Sequence, residues 1–510
     1  MEIVKETVHL FSHADEENGM AYEPDYPSAI HSSQDVVMDD TILSSHKNKN
    51  YDHFSKTLGD SLCQKLGELS EDSCNDPTIF KLPKHLRKVN EKAYEPQILA
   101  IGPYHRGKKH LMAMETQKVQ NLKKLLEDDR GKKYVEGCAL AMRELEKEAR
   151  ACYVESELDG DLKTTDAFVE MMLLDACFIV KLLGGYTPGP HNEARRKETP
   201  AQLSHRFGTS KHINFDDNIR KGGWIMSAIR RDLLLVENQL PFFVLHAFFV
   251  EMMKVQDKGN DNNICDLILH FFDDLVPDRK LKNKMFKIER INHVLDLIHL
   301  NWSPFSSETG KIVGPRVLDE EDKWGFIRCA TELKEAGIKF KSPKVDEKNA
   351  SSLFGIKFEN GIMKIPMLKI DDNSESFFRN LIAHEQFLHD PDYSYVTDYL
   401  KFMNCLMNTP GDVELLCQSE VVQNGLGDDK VLANMFNRLS DNVTFFPASF
   451  RYYELFLQVN YHCGRRWNKW KANLRHKYFN TPWALISFIA AVFLLLLTVA
   501  QTVFTVLPYV

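Results

Sequence analysis

Three acidic residues stand among apolar neighbours in this chain. Asp175 lies within MMLLDACFIV, Glu237 lies within LLLVENQLPFF, and Glu385 follows apolar residues at three, four and seven positions in FFRNLIAHEQ. An ionised carboxylate on an apolar face is costly unless it is paired or hydrogen-bonded. Each of the three acids therefore needs a specific partner.

Two arrangements would supply those partners. In the first, the three carboxylates converge on a shared site, where one of them is a general acid or base of raised pKa or all bind a hard metal ion. In the second, each carboxylate holds open backbone amides at a helix break, or pairs with Arg231, Arg379 or a histidine. Buried polar groups are much more often used in this second way. We therefore favour separate structural roles, and the acid cluster Asp175, Glu237 and Glu385 is the catalytic alternative.

A group of basic residues follows a glycine–proline pair in EPQILAIGPYHRGKKHLMAMETQK, residues 95–118. His105, Arg106, Lys108 and Lys109 would form an anion or partner contact if the glycines let backbone amides approach a phosphate. The spacing of a phosphate-binding loop is not present, however. The alternative is a turn, bent by the glycine–proline pair, that leads from an apolar strand into a helix and leaves its cations in solvent.

The sequence contains no recognised catalytic motif. Signatures of dinucleotide-binding folds, P-loops, zinc proteases, serine hydrolases and kinases are missing. The 19 histidines show no metal-ligand spacing and the ten cysteines form no CxxC pair. We therefore predict no enzyme, no metal and no cofactor, and we expect reduced, mostly buried thiols.

An apolar segment near the C-terminus is the strongest single feature. Ala484 to Leu507 runs for 24 residues without a charge, which is about 36 Å of helix and enough to cross a hydrocarbon core of about 30 Å. We predict a transmembrane helix over 483–508, preceded by a basic juxtamembrane segment over 461–482. A cation near an anionic membrane surface contributes about 1 kcal/mol. We assign this contact to the six cations of that segment, which are Arg465, Arg466, Lys469, Lys471, Arg475 and Lys477.

The charge distribution indicates location and partners. The formal net charge is −8, and because six cations lie in the juxtamembrane segment the remainder carries about −14, which argues against a nucleic-acid partner. The basic flank places the N-terminal bulk in the cytosol, at the plasma membrane or an endomembrane. The first twenty residues lack the apolar core of a secretory signal. Glycosylation acceptor sequences at Asn301, Asn349 and Asn442 leave an extracellular domain as the alternative.

Hydrophobic periodicity predicts a mainly α fold of the α+β class. Residues 1–75 are polar and largely aperiodic, which predicts a flexible leader with one short helix. A multi-helix domain follows over 76–460 and precedes the two membrane-proximal segments.

Local signals predict where individual elements begin and end. Asn360-Gly361 between two strand-like runs predicts a hairpin within a small antiparallel β element at about 338–370. Gly184-Gly185 should end a long apolar helix. Asn238 to Leu240 should form an elbow between two helices, because the following proline excludes its predecessor from helical geometry.

Several of these segments together resemble the plant domain-of-unknown-function 247 family, in the family's order from about Thr78 to the C-terminus. The family more often has a histidine where Arg106 stands and an aromatic residue where His384 stands. The resemblance rests on HLRKVNEKAYEPQILAIGPYHRGKKHLMAMETQK, RDLLLVENQLPFFVL, ATELKEAGIKF, IKFENGIMKIPML, FRNLIAHEQ and DYLKFMNCLM, followed by the membrane segment.

The resemblance implies a plant protein without established biochemical activity that ends in one membrane helix. Some grass members of the family are implicated as pollen determinants of self-incompatibility, and EPQILAIGPYHRGKKHLMAME resembles the monocot branch. We therefore expect a membrane-anchored recognition or signalling protein that acts by contact with protein partners. A membrane-tethered hydrolase or transferase using the acid cluster is the alternative. The family supplies no catalytic residues to carry over.

Overall fold

The computed structural model describes residues 56–62, 77–127, 129–154, 158, 160–185, 223–254, 264–272, 287–303, 325–343, 353–388, 393–445, 447–464 and 482–506. The chain divides into two compact units, Met1–Cys74 and Asn75–Val510. In the first unit the described residues form a short helix over 56–62. The rest of the predicted leader, the six juxtamembrane cations and Asn349 lie outside the described residues.

The second unit is mainly helical, as the hydrophobic periodicity predicts. Its α-helices are α1 (Lys84–Arg87), α2 (Met112–Leu125), α3 (Asp129–Glu144), α4 (Glu146–Ala151), α5 (Thr165–Gly185), α6 (Gly223–Asp232), α7 (Phe242–Lys254), α8 (Ile264–Phe271), α9 (Val294–Trp302), α10 (Ala330–Glu335), α11 (Ser374–Phe387), α12 (Tyr395–Leu406), α13 (Pro410–Gln418), α14 (Asp429–Leu439), α15 (Tyr453–Gly464) and α16 (Pro482–Val506).

Helix α5 is the centre of the first half of the core. Helices α2, α3, α7 and α8 all contact it, and every residue from Met171 to Leu183 is buried, whereas Asp166 and Glu170 near its start are exposed. The surrounded part has no face left for solvent, which is why its sequence lacks amphipathic patterning. Helix α5 runs to Gly185, and because the residues after Gly185 lie outside the described ones, the stop at Gly184-Gly185 stays a prediction.

The predicted elbow between α6 and α7 is also confirmed. Helix α6 ends at Asp232, and α7 begins at Phe242, directly after Pro241. The intervening residues 233–241 are all buried although they are not helical. Their backbone groups therefore need partners other than helical hydrogen bonds.

Two small sheets accompany the helices. The Asn360-Gly361 hairpin is confirmed, with φ of 52° and 75°, the two positive values that a type I′ turn needs. Strand β3 pairs antiparallel with β2 and parallel with β1, and β4 pairs parallel with β5, so the β element is mixed and not purely antiparallel. The strands are β1 (Lys339–Lys341), β2 (Lys357–Glu359), β3 (Ile362–Lys364), β4 (Leu368–Ile370) and β5 (Val422–Asn424).

Helix α11 is the centre of the second half of the core. It contacts α9, α12 and α14, and every residue from Ser376 to Glu385 is buried. Several of these residues are polar or charged, among them Arg379, His384 and Glu385. Because buried polar groups need hydrogen-bond partners, α11 carries specific polar contacts into the interior.

Helix α16 contains the apolar segment near the C-terminus. Its residues Ile486–Val503 are wholly unburied, and this helix is long and apolar enough to cross a membrane by length and composition. Among the described residues it is the one helix of that length and character; the apolar part of α7, Phe242–Met252, is shorter.

The eight described cysteines carry free thiols, as expected, but three of them are buried and five are half-buried, so the expectation of mostly buried thiols is not met among them. Cys138, Cys177 and Cys265 are buried, whereas Cys152, Cys329, Cys405, Cys417 and Cys463 are half-buried. Burial raises the pKa of Cys177 to about 12, and a thiol of such pKa is a poor nucleophile at neutral pH. These cysteines pack as small apolar side chains.

Candidate functional site

Asp175 lies in the middle of α5 and is completely buried. One carboxylate oxygen accepts a hydrogen bond from the Gly102 amide at 2.8 Å, and the other accepts one from the Lys118 ammonium at 2.6 Å. Lys118, on α2, is 1% exposed and also donates to the Ala100 carbonyl at 2.6 Å and to Glu115 at 2.5 Å. This buried ion pair therefore joins two helices to the 100–102 backbone.

Gly102 is required by two features of its position. Its φ is +70°, in the left-handed region that side chains disfavour. A Cβ there would lie 2.5 Å from the Gln239 carbonyl oxygen, well inside van der Waals contact. The predicted bend at the glycine–proline pair is thus present, and it is packed directly against the elbow.

The segment before Gly102 is not a strand, which corrects the expectation from its apolar run. Instead of pairing with a neighbouring strand, its amides donate to the side chain of Asp232 at the end of α6. The amides of Gln97, Ile98 and Leu99 lie 2.8 to 3.0 Å from the Asp232 oxygens. Burial raises the pKa of Asp232, although these amides and Arg231 oppose the shift.

Two amide side chains in the elbow continue this pattern. Asn238 accepts from the Ile101 amide at 2.7 Å and donates to the Leu99 carbonyl at 2.9 Å. Gln239 donates to the carbonyls of Leu233 and Leu235, both at 2.8 Å. Side chains of the elbow thus satisfy its own carbonyls and those of the 97–102 segment, where helical hydrogen bonds are missing.

The side chain of Glu237 is 2% exposed and lies beside Arg87 and His105. It accepts from the Leu82 amide at 2.6 Å and from Arg87, and His105 Nε2 lies 3.3 Å away. Burial by itself would raise the pKa of Glu237, but the contacts with His105, Arg87 and Leu82 outweigh it and lower the pKa to about 2. The carboxylate is therefore ionised at neutral pH and is unsuited to donate a proton there.

Most of the basic group proposed as an anion or partner contact faces acids of the fold itself. Lys108 pairs with Glu95, whose other oxygen accepts from Arg87 at 2.7 Å. Arg106 lies 3.4 Å from Glu115, and His105 is 2% exposed. Lys109 is exposed. The geometry therefore leaves Lys109 as the one of the four predicted contacts on the surface.

Glu385 lies in the other half of the core. It accepts from His299 Nε2 at 2.8 Å and from the amides of Val396 and Thr397 at 2.9 and 2.7 Å. Those two amides belong to the first turn of α12, where the helix dipole favours an anion. Glu385 thus caps one helix while it binds a histidine of α9.

A second acid and histidine pair lies beside the first. Asp296 accepts a hydrogen bond from the backbone amide of Asn292 at 2.8 Å and another from His384 Nε2 at 3.0 Å. The His384 ring centroid lies 5.1 Å from that of His293 and 5.2 Å from that of His299. Burial would raise the pKa of Asp296, but contacts with His384 above all lower it to about 2. We call Asp296, His299, His384 and Glu385 the histidine–acid cluster.

The predicted acids thus have separate sets of partners. Asp175 and Glu237 bind different parts of the chain around the 97–105 turn, whereas Glu385 binds α9 and α12. Sequence reasoning missed Asp232, Asp296 and His299. The spacing of Asp296 and His299, three positions apart within VLDLIHLNW, was a usable signal, because it places two polar groups on one face of an apolar helix.

Fold and site together define a mainly helical domain whose buried acids hold backbone amides, with one C-terminal helix long enough to cross a membrane. The family described as "DUF247: Plant protein of unknown function" matches residues 79–497. The chain belongs to this family, which confirms the resemblance at the family level.

Two curated relatives come from Arabidopsis thaliana. The chain is similar to "UPF0481 protein At3g47200", with 31% identity over 460 residues that cover 87% of this chain and 88% of the relative. It is also similar to "Putative UPF0481 protein At3g02645", with 23% identity over 524 residues that cover 85% and 91%. No solved structure matches the chain.

We predict that Gly102→Ala destabilises the domain by about 2–5 kcal/mol. Of this, about 1–2 kcal/mol comes from the left-handed backbone and the rest from the clash with the Gln239 carbonyl. Chemical denaturation of the full chain in detergent, followed by circular dichroism, measures the loss. The matched control is Gly107→Ala, because Gly107 has φ of +83° but open space around it. Equal losses for the two variants would contradict the packing argument.

We also predict that Glu237 makes folding stability depend on pH. A pKa lowered from the ordinary 4.5 to about 2 means that the ionised carboxylate contributes roughly 3 kcal/mol above pH 4.5, and that this contribution is lost as the pH falls towards 2. The difference in unfolding midpoint between wild type and Glu237→Gln should therefore shrink between pH 7 and pH 3. The exposed Glu136→Gln is the control. A difference that does not change with pH would show that Glu237 is not the titrating group.

Proposed function

We propose that this protein is anchored in a membrane by its single C-terminal helix and acts there by contact with other proteins, in recognition or signalling. The observation that carries the proposal is α16. Its 25 residues correspond to about 37 Å of helix, sufficient for a hydrocarbon core of about 30 Å.

The exposure of α16 supports its insertion into a membrane. Phe493, Leu494, Leu495 and Leu496 are each more than 60% exposed within the chain. Burying such side chains is worth about 25 cal/mol per Å² of apolar surface, so an exposed helix of this composition needs an apolar environment. A bilayer supplies that environment along its whole length.

The buried acids support a function based on contact. Gly102 and Lys118 occupy the Asp175 oxygens, and Leu82 and Arg87 occupy those of Glu237. Carboxylates engaged in this way stabilise the fold and leave little capacity for a substrate. The alternative, a membrane-tethered hydrolase or transferase using Asp175, Glu237 or Glu385, therefore has less support, and we propose that the protein is not an enzyme.

The charge distribution supports a cytosolic domain with protein partners. Six cations between positions 465 and 477 precede α16, and the remainder of the chain is acidic. Cations next to a span favour the cytosolic side and an anionic leaflet. The same acidic remainder is unsuited to nucleic acid.

The specific form of the proposal is a pollen determinant of self-incompatibility. Its support is the resemblance of EPQILAIGPYHRGKKHLMAME to the monocot branch of the family. A recognition role of this kind needs a display surface held at a membrane, which the anchored domain would provide.

Deleting residues 483–510 should move the protein from the membrane fraction to the soluble fraction. The reason is that the deletion removes the one described helix able to span a bilayer. Fractionation after carbonate extraction measures the shift, and deletion of residues 508–510 alone is the matched control. Membrane retention of the 483–510 deletion would contradict a single anchor.

The same membranes test which side the domain occupies. In sealed cytosol-side-out vesicles, protease should digest an N-terminal tag, and glycosidase treatment should leave the mobility of the chain unchanged. Protection of the tag together with a glycosidase shift would place the domain on the other side.

Pollen that lacks this protein should no longer be rejected by pistils of the same genotype, if it determines male identity. Pollen-tube growth on self pistils measures this, and reciprocal crosses that remove the protein from the pistil alone should leave rejection intact. Restoration by the full chain but not by the 483–510 deletion would connect recognition to the anchor. Unchanged rejection of the mutant pollen would refute the self-incompatibility proposal.

A further inference from the structure

The hydrogen bonds of the histidine–acid cluster leave two of its ring nitrogens without a partner. His299 is 0% exposed and His384 is 2% exposed, and each ring uses Nε2 towards a carboxylate. The Nδ1 atom of both rings is buried without a hydrogen-bond partner. Buried polar atoms normally have one, so each of these rings retains an unused nitrogen in a dry interior.

The positions of three of these side chains suit a shared metal ion. Asp296, His299 and His384 are buried, and each offers a ligand atom such that all three atoms lie within 4.8 Å of one another. One pair, His384 Nε2 and Asp296 Oδ1, lies 3.0 Å apart, and an ion bound between these two atoms would replace their hydrogen bond. Tetrahedral zinc with bonds of 2.0–2.2 Å places its ligand atoms about 3.4 Å apart. Side-chain rotations that shorten the remaining separations, by at most about 1.4 Å, would therefore complete the geometry.

The charges and the surrounding groups also favour a metal ion at this position. Asp296 and Glu385 bring two buried carboxylates into this site, and a divalent cation would balance their charge. Glu385 would hold the His299 ring, since the amides of Val396 and Thr397 fix the Glu385 carboxylate. A carboxylate that orients a ligating histidine is the usual outer contact of a zinc site.

We propose that Asp296, His299 and His384 bind one zinc ion, with Glu385 positioning His299. Imidazole ligands favour zinc over magnesium and calcium, which prefer oxygen ligands alone. The ion would connect α9 to α11 in the centre of the second half of the core, with its fourth position open to water or to Glu385. This site departs from the sequence prediction of no metal, because its ligands are contributed by helices far apart in the chain.

The test uses the full chain in detergent, freed of metal with a chelator and then titrated with Zn²⁺ or Co²⁺. We expect one ion per chain, a visible cobalt spectrum typical of nitrogen and oxygen ligands, and a thermal unfolding midpoint raised by several degrees. Asp296→Asn and His384→Gln should weaken binding on the order of 10–100-fold or more, since even changes to groups outside the ligand set have effects of that size.

The controls separate metal binding from damage to the fold. The control is His293→Asn. His293 lies outside the ligand set, but its Nδ1 accepts from the Asp296 backbone amide at 3.2 Å, and asparagine keeps a helix-capping acceptor at that position. This variant should therefore bind Zn²⁺ as wild type does. Circular dichroism of each metal-free variant shows whether it folds. If His384→Gln does not fold, Asp296→Asn, which keeps the shape of the side chain, serves as the ligand variant. Absence of stoichiometric binding by wild type, equal affinity in the ligand variants, or a thiolate-to-cobalt absorption band from the cysteines would each overturn the proposal.

Discussion

The buried ion pair between Asp175 and Lys118 is the interaction on which the first half of the core depends. Removing two charges from water is costly, and their attraction repays the cost only where other hydrogen bonds complete both groups. Here Gly102 completes the carboxylate, and Ala100 and Glu115 complete the ammonium. The pair therefore holds α2 and α5 against one short piece of backbone, and it specifies that arrangement because any displacement would leave a charge uncompensated.

The same use of acids recurs through the molecule. Asp232 binds three successive amides of the 97–99 backbone, Glu237 binds the Leu82 amide, and Glu385 binds the first turn of α12. In each case a carboxylate replaces the hydrogen bonds that a strand or helix would have supplied. Irregular backbone can consequently be buried in this fold, and this explains how an elbow and an extended segment lie in the interior without a sheet.

The interior of the domain and the C-terminal helix α16 differ in the side chains that they contain. The interior is held by paired and hydrogen-bonded charges, whereas α16 presents mainly apolar side chains and no charged one to its surroundings. The histidine–acid cluster combines two carboxylates with two buried ring nitrogens that lack a hydrogen-bond partner, and for that reason it is where we propose a metal ion.

The sequence by itself determined the features that depend on neighbouring residues. The apolar helix α5, the Asn360-Gly361 hairpin, the elbow before Pro241 and the C-terminal span follow from local patterns of hydrophobicity and backbone preference. It also indicated that the isolated acids needed partners, but it could not name them. Asp296 and His384 are 88 positions apart and Leu82 and Glu237 are 155 apart. Only the tertiary structure decided these pairings, because contact between distant residues depends on how whole helices pack. Local periodicity does not specify that packing.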